Sequence, residues 1–399
     1  MKFRLCAIPL VCICVLAACN KSVQIPSVAR EDLFSLDIGR MEDQIALYKL
    51  EGDQGIRHTG MVMRDGFFYI SDGNGGKILR YNSYGDLLFM IYNEETNPPP
   101  MSLKPLQTGS LVTRWAVSYP LQEPGEITVD SRKHIYVRDR LPYERHSFDL
   151  ENKAYLDSVI LHFDAEGRFV EYLGRDGIGG SPFPKIDALF NSQNDDLAVV
   201  CRLPTGWNIY WFDAEGTFLF LVHIKNEDIP IPPDREMVIP SLDAIAAAPE
   251  QRKLFVKVDY YRDTYDESTN TRTGNEPDSS VVWIMDVETG IWEKNVEVPF
   301  YEYTYTERNR RYTTRLLYSM LGVVKDNRVF LYIPVEGGYS LLLLSAYSGE
   351  QQQRMIQVDN DELQYNVFDL SADGILSGLL VNDWQVKLVW WRTDRVSGH

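Results

Sequence analysis

Beyond its first thirty residues the chain alternates short apolar runs, rich in β-branched and aromatic residues, with clusters of Gly, Asp, Asn and Pro. Helical spacing of apolar positions is not sustained anywhere; the pattern is that of many short antiparallel strands. Several runs share one punctuation: an aromatic strand, an Asp-x-x-Gly turn or close variant, then another apolar strand. It occurs in YNSYGDLLFMI (81–91), HFDAEGRFVEYL (162–173), WFDAEGTFLFLV (211–222), IMDVETGIWEKNV (284–296) and LSAYSGEQQQRMI (344–356). Asp bonds its own backbone in such turns, and Gly tolerates positive φ. A second strand pair lies upstream of each, as in EITVDSRKHIYVRD (126–139). The pattern predicts units of four antiparallel strands recurring about every 50–80 residues, a period that suggests propeller blades.

Two units carry a family signature. VDSRKHIYVRD (129–139) with LHFDAEGRFV (161–170), and ISDGNGG (70–76) with LRYNSYGDLL (79–88), resemble NHL-type blades. The whole chain resembles the propeller lipoproteins of spirochaetes. The expected fold is an all-β, six-bladed β-propeller of four-stranded antiparallel blades. Blades are expected near 59–92, 125–174, 185–225, 241–299, 316–358 and 365–393. The last of these supplies three strands, which would leave an open edge of the kind natural sheets avoid. Residues 33–50 (LFSLDIGRMEDQIALYKL) are therefore expected to join it as the fourth strand and close the ring; a helix over its charged middle is the alternative.

The glycine-rich stretch Asp72–Lys77 (DGNGGK) falls between two strands of the first unit. A phosphate cradle needs Gly-x-x-x-x-Gly-Lys-Ser/Thr leading into a helix. Here Lys77 leads into the strand ILRY, so the stretch reads as a turn.

The N-terminus adds an address. MKFR is basic, Leu5–Leu16 is apolar but too short to span a bilayer, and the run ends in Leu16-Ala17-Ala18-Cys19. This resembles the bacterial lipobox, which implies cleavage before Cys19 and acylation of that cysteine; an ordinary secretory signal is the alternative. Residues 1–18 are thus read as a lipoprotein signal peptide, 19–30 as a lipidated tether and 31–399 as one propeller domain. Two or three acyl chains hold a protein durably at a membrane, whereas one does so only marginally. The implied location is the bacterial cell envelope, on the periplasmic or surface side.

Composition narrows the partners. Net charge is −17, and Lys2 and Arg4 are the only charges among the first twenty residues. Such a surface repels nucleic acid. Cys6, Cys12, Cys14 and Cys19 lie in or at the end of the leader, which leaves Cys201 inside the apolar run LAVVCRL as a buried, unreactive thiol. The histidines at 58, 134, 146, 162, 223 and 399 show no metal-binding spacing, and no Gly-x-Ser-x-Gly elbow occurs. His134 and His162 are expected to pack within one blade. Asp359–Glu362 reads as a turn, since it lacks the glycine and distal glutamate of a calcium loop.

Two candidate sites remain. Residues 300–315 (FYEYTYTERNRRYTTR) concentrate Tyr301, Tyr303, Tyr305 and Tyr312 with Arg308, Arg310, Arg311 and Arg315. Tyrosine and arginine are enriched at interface hot spots, and alternating tyrosines share one face of an extended segment. A protein or peptide partner is one reading; a connecting strand whose rings cover neighbouring blades is the other. The second site is the channel mouth. Thr59, Glu126, Asp187, Asp243, Ser319 and Asn366 stand near the starts of the innermost strands. Their oxygens would suit Ca²⁺ if they converge, and a solvated channel if they do not. No cofactor is otherwise implied. The polar segment 260–280 reads as a mobile loop. The preferred function is a lipid-anchored module that binds a protein or peptide; the alternative is a metal-dependent, lactonase-like hydrolase or lyase acting at the mouth.

Overall fold

In the strand Leu197–Leu203 (LAVVCRL), successive side chains serve two different cores. Ala198 and Val200 pack with Leu242 and Val256, which follow in the chain. Leu197, Val199 and Cys201 pack with Ile160 and Leu173, which precede. Strand side chains alternate between faces, so a sheet covered on both sides is apolar at nearly every position. Repeated around the chain, this arrangement makes an all-β propeller. The computed structural model describes residues 25–47, 58–106, 113–192, 194–308 and 310–396.

The chain opens with β1 (Arg30–Asp37). The first blade runs β2 (Thr59–Arg64), β3 (Phe67–Asp72), β4 (Lys77–Asn82) and β5 (Leu87–Tyr92), extended outward by β6 (Lys104–Pro105) and β7 (Trp115–Ser118). The second blade has β8 (Ile127–Val129) and β9 (Ile135–Arg140), then a separate hairpin of β10 (Ser147–Asp149) and β11 (Ala154–Leu156). It continues with β12 (Ser158–Phe163), β13 (Phe169–Gly174) and β14 (Gly177–Ile178). The third is β15 (Ile186–Asn191), β16 (Leu197–Leu203), β17 (Gly206–Phe212) and β18 (Phe218–Lys225). The fourth is β19 (Ile239–Ala247), β20 (Lys253–Tyr265), β21 (Arg272–Asp286) and β22 (Trp292–Glu297). A hairpin follows, β23 (Tyr301–Glu307) and β24 (Arg310–Leu316). The fifth blade is β25 (Ser319–Val323), β26 (Arg328–Val335), β27 (Gly338–Ser345) and β28 (Gln351–Gln357). Last come β29 (Tyr365–Leu370), β30 (Leu376–Val381) and β31 (Gln385–Trp391).

These five blades are each drawn from one stretch of chain. The remaining sheet is composite, in the order β1-β31-β30-β29, with Arg30 opposite Trp391 and Asp37 opposite Gln385. It packs against the fifth blade through Phe330, Leu341 and Trp391, and against the first through Met61, Leu379 and Leu388. Apolar side chains bridge every successive pair of sheets, and the circle has no gap.

Several expectations are corrected. The blades are not uniformly four-stranded. β7 pairs in parallel with β5 and β6 with β7, so the insertion 93–124 widens the first sheet to six strands; β14 widens the second to five. The closing strand is Arg30–Asp37 rather than 33–50. Arg40–Asp43 form a bend and turn, neither strand nor helix, and residues 48–50 lie outside the described ones. The expected tether also shortens. Ser27 bridges Met355 in parallel, and Val28 donates to the Met355 carbonyl at 2.8 Å. The segment read as a loop at 260–280 is the long tip of β20 and β21, where cross-strand bonds such as Thr264–Thr273 (3.1 Å) and Arg272–Asp263 (2.9 Å) replace an apolar face.

The glycine-rich stretch is a turn with a purpose. Asp72 is fully buried and accepts from the amides of Gly75 (2.8 Å) and Ala46 (2.7 Å), while the buried Lys77 ammonium donates to the Met41 carbonyl at 2.7 Å. A Cβ on Gly75 would meet the Asp72 carboxylate at 2.4 Å, so the position needs glycine. The turn therefore clamps the strap 41–47 that joins β1 to the first blade.

Candidate functional site

Strand order gathers the starts of the innermost strands at one end of the propeller. Every innermost strand (β2, β8, β15, β19, β25, β29) begins at the same end, where the turns between second and third strands and the crossovers between blades also lie. The hairpins β10–β11 and β23–β24 and the tip of β20–β21 are insertions in such connections, so all three rise around one mouth.

The six expected mouth residues occupy this end, but they do not form an ion cage. Glu126 accepts from Arg138 at 2.8 Å, with His58 at 3.9 Å. Asp187 is held by Arg202 at 2.5 Å and Lys185 at 3.1 Å. Asp243 lies 3.1 Å from Lys257, which also binds Asp259 at 2.7 Å. The backbone register skips Asp187 between Ile186 and Ala188, and Asp243 between Leu242 and Ala244. Each is the extra residue of a bulge, a device that re-aims a side chain. Thr59 exchanges backbone bonds with the Tyr365 hydroxyl (3.0 and 3.2 Å), Asn366 donates to the Tyr339 hydroxyl at 3.0 Å, and Ser319 is exposed. Among the described residues no group of three or more His, Cys, Asp or Glu side chains is placed to hold a metal. Each carboxylate already has a cation. The expected calcium set is replaced by three acid–base pairs, one in each of three successive blades.

Electrostatics follow from that pairing. Burial works to raise the Glu126 carboxyl, but Arg138 and His58 outweigh it and hold it below the ordinary value. Burial pushes His58 down. Deeper in the ring, Asp369 on β29 is half-buried; desolvation pushes its carboxyl up to about 7, against a bond from the Met63 amide at 2.9 Å.

The hairpin β23–β24 settles the form of the segment 300–315. It is an arm, not a connecting strand: residues 302–308 and 310–315 are all exposed. Tyr303 and Tyr305 stack at 6.0 Å, and Tyr305 stacks on Tyr312 across the strands at 5.4 Å. Tyr301 instead turns into the base, edge-on to Tyr318 at 6.1 Å. Arg308 sits in the turn at φ 48, Arg310 stands opposite Glu307 on the tyrosine face, and Arg311 stands opposite Thr306 on the other face. Beneath the arm a cleft of about 600 Å³ is lined by Ile25, Phe300, Tyr301 and Tyr318. On the second blade, β10–β11 carries another exposed aromatic pair, Phe148 and Tyr155, at 5.0 Å.

His134 and His162 behave as packed residues, 2.9 Å apart, with Tyr136 stacked on His162 at 4.5 Å and Glu171 at 3.3 Å. Cys201 is buried and its thiol pushed far up by burial. Cys19 lies outside the described residues. The cations of the mouth were missed in the sequence, although each left a signal: Arg138, Arg202 and Lys257 are lone bases in or at the end of the apolar runs IYVR, VVCRL and LFVKV. No helix among the described residues is long and apolar enough to cross a membrane.

No protein-family model matches the chain. No curated protein matches it in sequence either. Among solved structures it is similar to a candidate gluconolactonase at 10% identity and TM-score 0.39, covering 92% of this chain and 94% of that one. A luciferin-regenerating enzyme matches at 10% identity and TM-score 0.37, covering 91% and 95%. The β-propeller domain of the trilobed protease from Pyrococcus furiosus matches at 10% identity and TM-score 0.37, covering 84% and 95%.

Proposed function

We propose that this chain is a lipid-anchored, NHL-like propeller of the bacterial cell envelope that binds a protein or peptide partner at its mouth. The composite sheet counts as the sixth blade, and Cys19 carries the anchor. The observation that supports binding is the arm β23–β24, whose stacked tyrosines stand in solvent at 48% (Tyr303), 39% (Tyr305) and 41% (Tyr312) exposure. Rigid aromatic rings offer large contact area at low entropic cost, and arginines beside them add directional donors. The alternative of a metal-dependent hydrolase or lyase has weaker support, because the mouth carboxylates are engaged by Arg138, Arg202 and Lys257.

A photo-activated cross-linker placed at Tyr305, in cells that make the protein, tests the reading. A discrete adduct from this position, and none from Phe218 at the opposite end of the ring, supports it. Adducts at both positions, or at neither, overturn it.

A further inference from the structure

The arm has two unpaired edges among the described residues, and they differ in charge. β23 carries Glu302 and Glu307; β24 carries Arg310, Arg311 and Arg315. Many arginines elsewhere on this acidic chain hold carboxylates, as Arg30, Arg138, Arg202, Arg235, Arg252 and Arg272 do, and others, such as Arg64, Arg80 and Arg114, bond carbonyls. Those of the arm do not. Among the described residues the side chains of Arg308, Arg310 and Arg311 have no hydrogen-bond or ion-pair partner, and Arg315 rests over the Phe300 ring at 5.7 Å. Yet Glu302 faces Arg315 and Glu307 faces Arg310 in register. The guanidinium groups remain available.

Register also says which backbone groups are open. Glu307 pairs with Arg310 across a two-residue loop. The pair flanking such a loop exchanges both backbone bonds, and the alternation runs down the ladder from there. Pairs 305/312 and 303/314 therefore turn inward, while 306/311, 304/313 and 302/315 turn their N–H and C=O groups outward. Along β24 the open groups belong to Arg311, Thr313 and Arg315, whose side chains share the face away from the stacked tyrosines.

We propose that β24 is a strand-addition site for an extended acidic peptide, a deepening that rests on the arm being the partner surface. The added strand carries two carboxylates four residues apart, opposite Arg311 and Arg315. The residues between alternate to the other face, where apolar or aromatic side chains prolong the row of Tyr312, Tyr305 and Tyr303. Main-chain bonds to an open edge supply affinity, and alternate side chains supply selectivity. A two-stranded hairpin is marginal alone, and a third strand stabilises it. The chain's own residues 19–24 (CNKSVQ) do not fit, since they contain a lysine and no carboxylate.

The test uses the chain from Cys19 onward and a synthetic peptide, acetyl-Val-Glu-Val-Thr-Val-Glu-Val-amide, followed by calorimetry. Controls are the same peptide with lysine for glutamate, two versions N-methylated at alternate amides, and heparin as a non-peptide polyanion. Binding that falls at least tenfold with lysine, with one N-methylated version and with Arg311→Glu/Arg315→Glu establishes strand addition. Equal binding of both N-methylated peptides, heparin competing as well as the peptide, or self-association through the arm in sedimentation overturns it. No binding, with cross-linking from Tyr305 intact, refutes strand addition alone; failure of both refutes the partner surface as well.

Discussion

Arg30 and Glu362, 332 residues apart in sequence, form a two-pronged ion pair with N–O distances of 2.5 and 2.9 Å. Lys387 adds a third donor to the same carboxylate at 2.6 Å. Glu362 lies in the short 3-10 turn Asn360–Glu362 between the fifth blade and the composite sheet, within a capping box with Asp359. Its side chain is almost wholly buried. The acid that reads as one of four polar turn residues is thus the point where the first strand, the last strand and the fifth blade are fastened together.

Glu362→Ala leaves two cations facing a vacated buried site and should destabilise the protein by about 2–4 kcal/mol. Hydrogen exchange should quicken in Arg30–Asp37 ahead of β16 and β17. Uniform quickening across all sheets would show that the clasp is not local. The Arg30 bond leads in holding the Glu362 carboxyl down at about 2, below its ordinary value of 4.5. Its stabilisation is therefore complete above pH 4.5 and fades as pH falls toward 2. Glu362→Gln should flatten that acid limb in a melting series.

Asp369 has the opposite sign. Its carboxyl binds protons more tightly in the folded state, so stability is greatest below the unfolded value near 3.8 and declines as pH rises toward about 7. Asp369→Asn keeps an acceptor for the Met63 amide. It should raise stability by roughly 1–3 kcal/mol at pH 8, the order of the cost of desolvating a polar group, and change little at pH 4. An unchanged pH profile in the variant would remove Asp369 as its source.

Lys257 is fully buried between Asp259 and Asp243. Lys257→Met strands at least one carboxylate without a counter-charge and should cost about 3–5 kcal/mol, read by urea denaturation. A loss under 1 kcal/mol would mean that water already screens the pair.

The paired mouth predicts its response to metal. Calcium at about 1 mM, the range of weak protein sites, should leave the melting temperature of the native chain unchanged. Arg138→Gln with Arg202→Gln and Lys185→Gln frees Glu126 and Asp187 of these cations and should create a calcium-dependent rise. A rise in the unaltered protein would revive the hydrolase or lyase reading.

Removing the arm should leave the ring standing. A short turn in place of 302–315, which keeps Tyr301 and Leu316 on the core, should lower stability by less than about 1 kcal/mol, since the removed side chains described are exposed and surface substitutions matter little. A large loss would make the arm a packing element.

How much of this was legible depended on the range of the interaction. Runs such as LAVVCRL and LLLLS announce strands buried on both faces, because the alternating period is filled at every position. Closure was inferable from a missing fourth strand, although its register began at Arg30, three residues earlier than expected, since Arg30 side-chain contacts to Glu362 are invisible in sequence. The polar ladder of 260–280 was misread because Thr264 and Thr273 bond only after the strands have met. At the mouth, Glu126 and Asp187 stand at the starts of their strands, whereas Asp243 stands in the middle of β19. What escaped was the neighbouring strand: Arg138 stands twelve residues from Glu126, and Lys257 fourteen from Asp243, separations that only a hairpin brings to bonding distance.

The pairing of Arg30 with Trp391 bears on biogenesis. β1 must wait, solvent-facing and unmated, until β31 is delivered, so the five intervening blades precede its completion. Long-separation pairing is slow, and open edges invite aggregation in the interval. Folding of such a chain would benefit from a companion that shields the waiting segment, and a truncation that removes only β31 would leave two orphaned edges, β1 and β30, rather than one shortened tail.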